Sequence, residues 1–96
     1  MITPTIGRIV WYYPGDMEMA TSLGDQPMVA IVTYVHSDTR INVAYWDHNG
    51  AFNSSTSVEL IQDQAPPSNG AAWCEWMPYQ KGQAAKYEQL EREKAQ

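Results

Sequence analysis

Apolar positions are densest between Met28 and Trp46. There Met28–Val35 and Ile41–Trp46 form two runs rich in β-branched and aromatic residues. The break between them, His36-Ser37-Asp38-Thr39-Arg40, collects the turn formers, so the pair predicts a hairpin. In the first run Met28, Ala30, Val32 and Tyr34 alternate with Val29, Ile31, Thr33 and Val35. Both sets are largely apolar, which predicts a central strand buried on two sides. In the second run Ile41, Val43 and Tyr45 share one face, and Asn42, Ala44 and Trp46 the other.

The same pattern extends both ways along the chain. Gly7–Tyr13 predicts a first strand, stopped by Pro14-Gly15, with Ile9, Trp11 and Tyr13 on one face and Arg8, Val10 and Tyr12 on the other. Large side chains on both faces imply two covers: the core, and either a second subunit or the tail. Asp16–Gln26 is an acidic loop carrying Met17, Met19 and Leu23, read as a lid on a barrel end or as a partner contact. Asp47-His48-Asn49-Gly50 contains Asn-Gly, the strongest short hairpin signal. Ala51 and Phe52 begin the return, Asn53–Ser57 reads as a polar loop or bulge, and Val58–Ile61 as the fourth strand. Pro66-Pro67 and Asn69-Gly70 make residues 62–70 a linker, and Ala72–Trp76 a short fifth strand ended by Pro78. From Ala84 to Lys94 the residues favour helix, with Ala84, Tyr87 and Leu90 as a narrow apolar stripe. Chains of such short strands close a small barrel or a sandwich. The expectation is a mainly β domain over residues 1–83, ending in an aromatic segment, and a C-terminal helix with a frayed tail over residues 84–96.

Composition changes this picture in one respect. The 96 residues suit one modest core, but four Trp and six Tyr stand against a single Phe. Rings with a polar handle serve binding surfaces as readily as cores. Charge narrows the partners. Residues 83–96 balance Lys86, Arg92 and Lys94 against three glutamates, so the net −5 falls on the first 82 residues, where Arg8, Arg40 and Lys81 face eight carboxylates. Long nucleic acids need a basic stripe that is missing here. A small phosphorylated ligand needs only one or two cations and backbone N–H groups.

Candidate chemistry is sparse. Cys74 is the single cysteine, which excludes a disulfide or a cysteine-based zinc site within one chain. The N-terminal residues show no signal-peptide pattern, and no window of about 20 apolar residues could span a membrane, so a cytoplasmic location is expected. His36 and His48 both fall in turns, the carboxylates are scattered, and no phosphate-binding glycine loop, HExxH or nucleophile elbow occurs. The expectation is a protein without catalysis or cofactor.

What remains is Trp73-Cys74-Glu75-Trp76-Met77-Pro78-Tyr79-Gln80-Lys81-Gly82-Gln83, with two indoles, a phenol and a lysine in close succession. Trp73 and Trp76 fit a plug closing a barrel end. The functional reading beside it is a sandwich around a nucleobase with Lys81 or an arginine on its phosphate. Arg8, with no acidic neighbour in sequence, is more available to a ligand than Arg40, which follows Asp38 closely.

Gly7–Tyr13, Ala30–Val35, Ile41-Asn42-Val43, Gly50 and Trp76–Gln83 together resemble a group of small bacteriophage and prophage proteins with the pattern GRIVHYY…AAIV…VNL…G…WMPYQ. The likeness covers most of the chain, departing at Trp11, where the pattern has His, and in the acidic insertion around Asp16–Asp25. It implies a small SH3-like β-barrel of about five strands with a C-terminal α-helix, in the cytoplasm of an infected bacterial host. By analogy of fold and origin it also implies a homo-oligomeric counter-defence protein that sequesters a cyclic nucleotide immune signal without turning it over. The ligand-binding residues expected on that reading are Trp11, Tyr13, Trp73, Trp76 and Tyr79 for stacking, and Arg8, Arg40 and Lys81 for phosphate. The alternative is an inhibitor of a host protein, working through the acidic, Met- and Tyr-bearing surface.

Overall fold

The computed structural model describes residues 1–15 and 26–94. Five strands close a barrel: β1 (Ile9–Tyr13), β2 (Met28–Ser37), β3 (Arg40–Trp46), β4 (Phe52–Ile61) and β5 (Trp73–Glu75), followed by helix α1 (Pro78–Lys94). Neighbours from β1 to β4 pair antiparallel, β4 and β5 pair parallel, and β5 returns antiparallel to β1. The mainly β barrel with a C-terminal helix is therefore what this chain forms.

Period-two alternation builds the interior. Val10 and Tyr12, Met28, Ala30 and Val32, Ile41, Val43 and Tyr45, Val58 and Leu60, then Cys74 and Trp76 all point inward and are buried. Tyr12 and Tyr45 stack across it, with ring centroids 4.1 Å apart. The expected burial of β2 on two sides does not hold within one chain. Its outer positions stay accessible, Val29 at 46%, because a closed barrel has a single interior.

Irregularities in register set the curvature. One extra residue near Thr33 on β2 opposes Asn42–Val43, so the phase flips: Tyr34 turns outward and Val35 packs against the core. A second irregularity sits where β4 passes Asn42, and there Ser57 adopts φ 54°. The Asn42 side-chain oxygen accepts the Ser57 N–H at 2.8 Å, holding that left-handed residue in place. The polar stretch 53–57, expected as a loop or bulge, is thus strand carrying a bulge.

Close backbone packing explains one glycine. A Cβ on Gly15 would lie 2.9 Å from the Gly70 carbonyl oxygen and 3.0 Å from the Ala72 nitrogen. Gly15→Ala is expected to lower stability by about 1–3 kcal/mol, because two main chains would have to separate. A chemical-denaturation midpoint equal to that of the parent would contradict this contact.

Helix α1 starts six residues before the expected Ala84. Pro78 occupies the first helical position, where its missing N–H costs nothing. The Gln80 side-chain oxygen accepts the Met77 N–H at 2.8 Å, one half of a capping box. The Gln80 amide also donates to the Ile9 carbonyl at 2.8 Å, tying the first turn to β1. Beyond this tie α1 has no extended contact with any strand. The helix projects from the barrel, giving a molecule of 52 × 25 × 24 Å.

Candidate functional site

Two segments frame the most suitable groove, the chain before β1 and the first turns of α1. Gln62 pins the N-terminal segment: its side chain accepts the Ile2 N–H at 3.2 Å and donates to the Ile2 carbonyl at 2.8 Å. Gln80 fixes α1 relative to β1 as described. Between them lies a groove of 370 Å³ lined by Ile2, Arg8, Tyr79, Gln80, Gln83, Ala84 and Tyr87. Tyr79, Gln83 and Tyr87 share one helix face because they are spaced by four.

The chemistry of these side chains is complementary. Arg8 is exposed, and its Nε donates to the Thr5 hydroxyl at 3.4 Å. No carboxylate pairs with Arg8 among the described residues. Tyr79 and Tyr87 are 74% and 65% exposed, so their ring faces remain accessible. A hydrogen bond to Glu91, aided by that carboxylate's charge, raises the Tyr87 pKa and keeps its hydroxyl a donor. The Gln83 side-chain amide carries both a donor and an acceptor.

The eight expected ligand residues do not converge on one place. Arg8 and Tyr79 meet in the groove. Trp76 does not belong to any stacking surface: it is 1% exposed and part of the barrel core, since the chain carries it inward one position beyond β5. Its indole Nε1 is buried without an acceptor among the described residues. Tyr13 and Trp73 stack on each other at 4.0 Å and 11°, outside the barrel beside Glu75. Burial and the Glu75 charge both push the Tyr13 pKa up. Lys81 lies 3.9 Å from Glu75 in an ion pair, and it lines a different cleft with Trp76, Gln62 and Glu88. Arg40 sits at the β3–β4 irregularity, its guanidinium donating to the Ser57 carbonyl at 2.8 Å, away from these rings. Trp11 faces outward, opposite Val29 and Glu75.

Tyr87 and Gln83 were not among the expected ligand residues. Their signal was available once the helix start is moved to Pro78, because the spacing from Tyr79 then places all three on one face. The acidic segment 16–25, expected to act as a lid or to meet a protein partner through Met17 and Met19, lies outside the described residues.

Other polar groups have structural work. His36 Nε2 lies 2.9 Å from the Asn42 side-chain oxygen and His48 Nε2 lies 3.2 Å from the Pro27 carbonyl, so each imidazole donates from Nε2. Asp47 is buried and accepts the Asn49 and Ala51 N–H groups at 2.9 Å, bracing the turn that ends at Gly50. No cluster of three metal-ligating side chains occurs among the described residues, and no described helix is long and apolar enough to cross a membrane.

No protein-family model, curated protein or solved structure matches this chain.

Proposed function

We propose that this protein is a non-catalytic binder of a small nucleotide phosphate, held in the groove between α1 and the N-terminal segment. One observation carries the reading: this groove brings an exposed cation and exposed rings together, Arg8 with Tyr79 and Tyr87. A guanidinium fork suits one phosphate, and the phenol rings supply stacking worth about 1–3 kcal/mol per base. The volume of 370 Å³ lies within the usual span of small-ligand sites. Both histidines donate into structural hydrogen bonds, which supports binding without turnover. The proposed biological setting, sequestration of a cyclic nucleotide signal during phage infection, is supported by the resemblance to phage proteins alone.

Thermal melts with cyclic di- and trinucleotides and with cyclic ADP-ribose isomers test this directly. A ligand at 100 times its Kd stabilises by about 2.7 kcal/mol, which raises the Tm of a domain this size by roughly 10 °C or more. Arg8→Ala and Tyr79→Ala are each expected to weaken that ligand by about 5- to 150-fold. Both positions are exposed, so the ligand-free Tm should hold, and chromatography should recover the nucleotide intact. The reading fails if no nucleotide moves the Tm, or if both variants bind with parental affinity.

A further inference from the structure

We propose that Asn69-Gly70 is a site of spontaneous chemical modification in the native protein, and that Asn49-Gly50, the same dipeptide, is locked against it. Both are followed by alanine, as Asn49-Gly50-Ala51 and Asn69-Gly70-Ala71, so the local chemistry is matched and the fold separates them. Both asparagines are exposed. Asparagine is thermolabile, most of all before glycine, because no Cβ hinders the next main-chain nitrogen. That nitrogen gives up its proton to base and attacks the asparagine Cγ. The new N–Cγ bond closes a five-membered succinimide, the Cγ–Nδ2 bond breaks, and the amide nitrogen takes up a proton and leaves as ammonia. Water then opens the ring at either carbonyl, giving aspartate or isoaspartate.

At residues 49–50 the nucleophile is occupied. The Gly50 N–H donates to the Asp47 carbonyl at 2.9 Å, and the Asp47 N–H donates to the Ala51 carbonyl at 3.0 Å. The buried Asp47 side chain accepts the Asn49 and Ala51 N–H groups at 2.9 Å, so the amides on both sides of the reacting one are held too. Ring closure must first open this turn, and its rate falls with the fraction of chains in which the turn is open. At residues 69–70 the Gly70 N–H has no acceptor among the described residues. The Asn69 side-chain oxygen instead accepts the Ala71 N–H at 3.1 Å. That bond folds the side chain along the following residues and draws electron density from Cγ. The nucleophile is unengaged there, and the carbon it attacks is polarised.

Position gives the modification a consequence. The Gly70 carbonyl lies so close to Gly15 that a Cβ on Gly15 would come within 2.9 Å of it. This seam joins the end of β1 to the approach of β5, the short strand that closes the barrel. Isoaspartate carries the main chain through the former side chain and lengthens it immediately before Gly70, where two main chains are already in contact. Asn69 also lines a cleft with Arg40 and Glu59. Either product therefore adds a carboxylate to the cleft of the guanidinium that now donates to the Ser57 carbonyl.

Peptide mapping by mass spectrometry, after incubation of the full chain at mildly alkaline pH with and without urea, reads both sites in one sample. In the native protein Asn69 should convert at least about tenfold faster than Asn49. In urea the two rates should become alike. Asp47→Ala removes the side-chain brace and should raise the Asn49 rate alone, whereas Asp47→Asn keeps an acceptor oxygen and should hold it low. The comparison within the parent needs no variant, so it decides the matter even where Asp47→Ala loosens the fold. The isoaspartate form, separated by chromatography, should melt below Asn69→Asp, which has the same charge and an ordinary main chain. Equal native rates at the two sites, or a faster Asn49, overturn the proposal. So does protection at Asn69 that urea removes, and an isoaspartate form as stable as Asn69→Asp overturns its consequence at the seam.

Discussion

Trp76→Ala is expected to remove about 3–5 kcal/mol of stability, against a total of about 5–15 kcal/mol for a domain. The indole is 1% exposed and belongs to the same cluster as Val10, Tyr12, Leu60 and Cys74. It fills the barrel just beyond β5, a strand of three residues that alone joins β4 to β1. Truncation therefore opens a cavity where closure has the least backbone pairing to sustain it. Trp76→Phe separates volume from polarity. The ring shrinks, but an indole N–H without an acceptor among the described residues also disappears, and burying such a group unpaired costs about 1–3 kcal/mol. Phe should therefore cost distinctly less than Ala. Tyr79→Ala, at a residue 74% exposed, should stay within about 0.5 kcal/mol of the parent. Urea unfolding of the three variants measures all of this. Equal losses for Trp76→Ala and Tyr79→Ala would show that Trp76 is not a core residue.

The contrast between these two aromatic residues shows where sequence reading reaches and where it stops. The division into two faces was legible in β1 and β3, because a pleated strand sends every second side chain the same way; which face is interior was not, and barrel closure buries Val10, Tyr12, Ile41, Val43 and Tyr45. The Asn49-Gly50 turn was legible for a local reason: Gly50 takes φ 87°. Trp76 reads either as a plug or as a stacking ring, because its strand ends at Glu75 and nothing local says whether the next indole continues inward; its burial fits the plug. The two faces of β2 also looked alike in composition, and only closure of the barrel decides that Val32 is interior and Val29 is not. The helix start was misplaced because Gly82 interrupts a run of helix formers, at a cost of about 1 kcal/mol. Its first turn is held instead by Gln80, reaching Met77 locally and Ile9 across the fold.

The candidate site was legible in kind more than in membership. Arg8 and Tyr79 meet although 70 residues separate them in sequence, because β1 and the start of α1 are joined through Gln80 and Ile9. Lys81 is two positions from Tyr79 and so leaves the groove face of the helix, where Glu75 takes its charge. Arg40 is claimed by the Ser57 carbonyl, a bond made available by the left-handed turn of Ser57. Neither loss could be read from charge or spacing: the first depends on where α1 sets Lys81 against Glu75, the second on a carbonyl that the β3–β4 irregularity exposes.

Alkaline pH should weaken the fold through Cys74. The thiol is fully buried, and burial pushes its pKa from 9.0 up to about 12. Between those values the native state keeps a proton that the unfolded chain releases, so stability must fall as pH rises. The contribution is fully present below pH 9.0 and lost by the time pH passes the folded value of about 12; the whole effect approaches roughly 4 kcal/mol. Tyr13, raised by burial and by Glu75, acts with the same sign in the same alkaline direction. Urea unfolding at about pH 8 and about pH 10.5 should differ by roughly 2 kcal/mol more in the parent than in Cys74→Ala, which has no thiol to titrate. The variant's own packing loss appears at both pH values and cancels from that difference. Burial also predicts that the native thiol resists an aromatic disulfide reagent at neutral pH and reacts fully once urea unfolds the chain. A thiol that reacts as fast in the native protein as in urea, or a variant with the parent's full pH dependence, would remove Cys74 from the interior on which barrel closure rests.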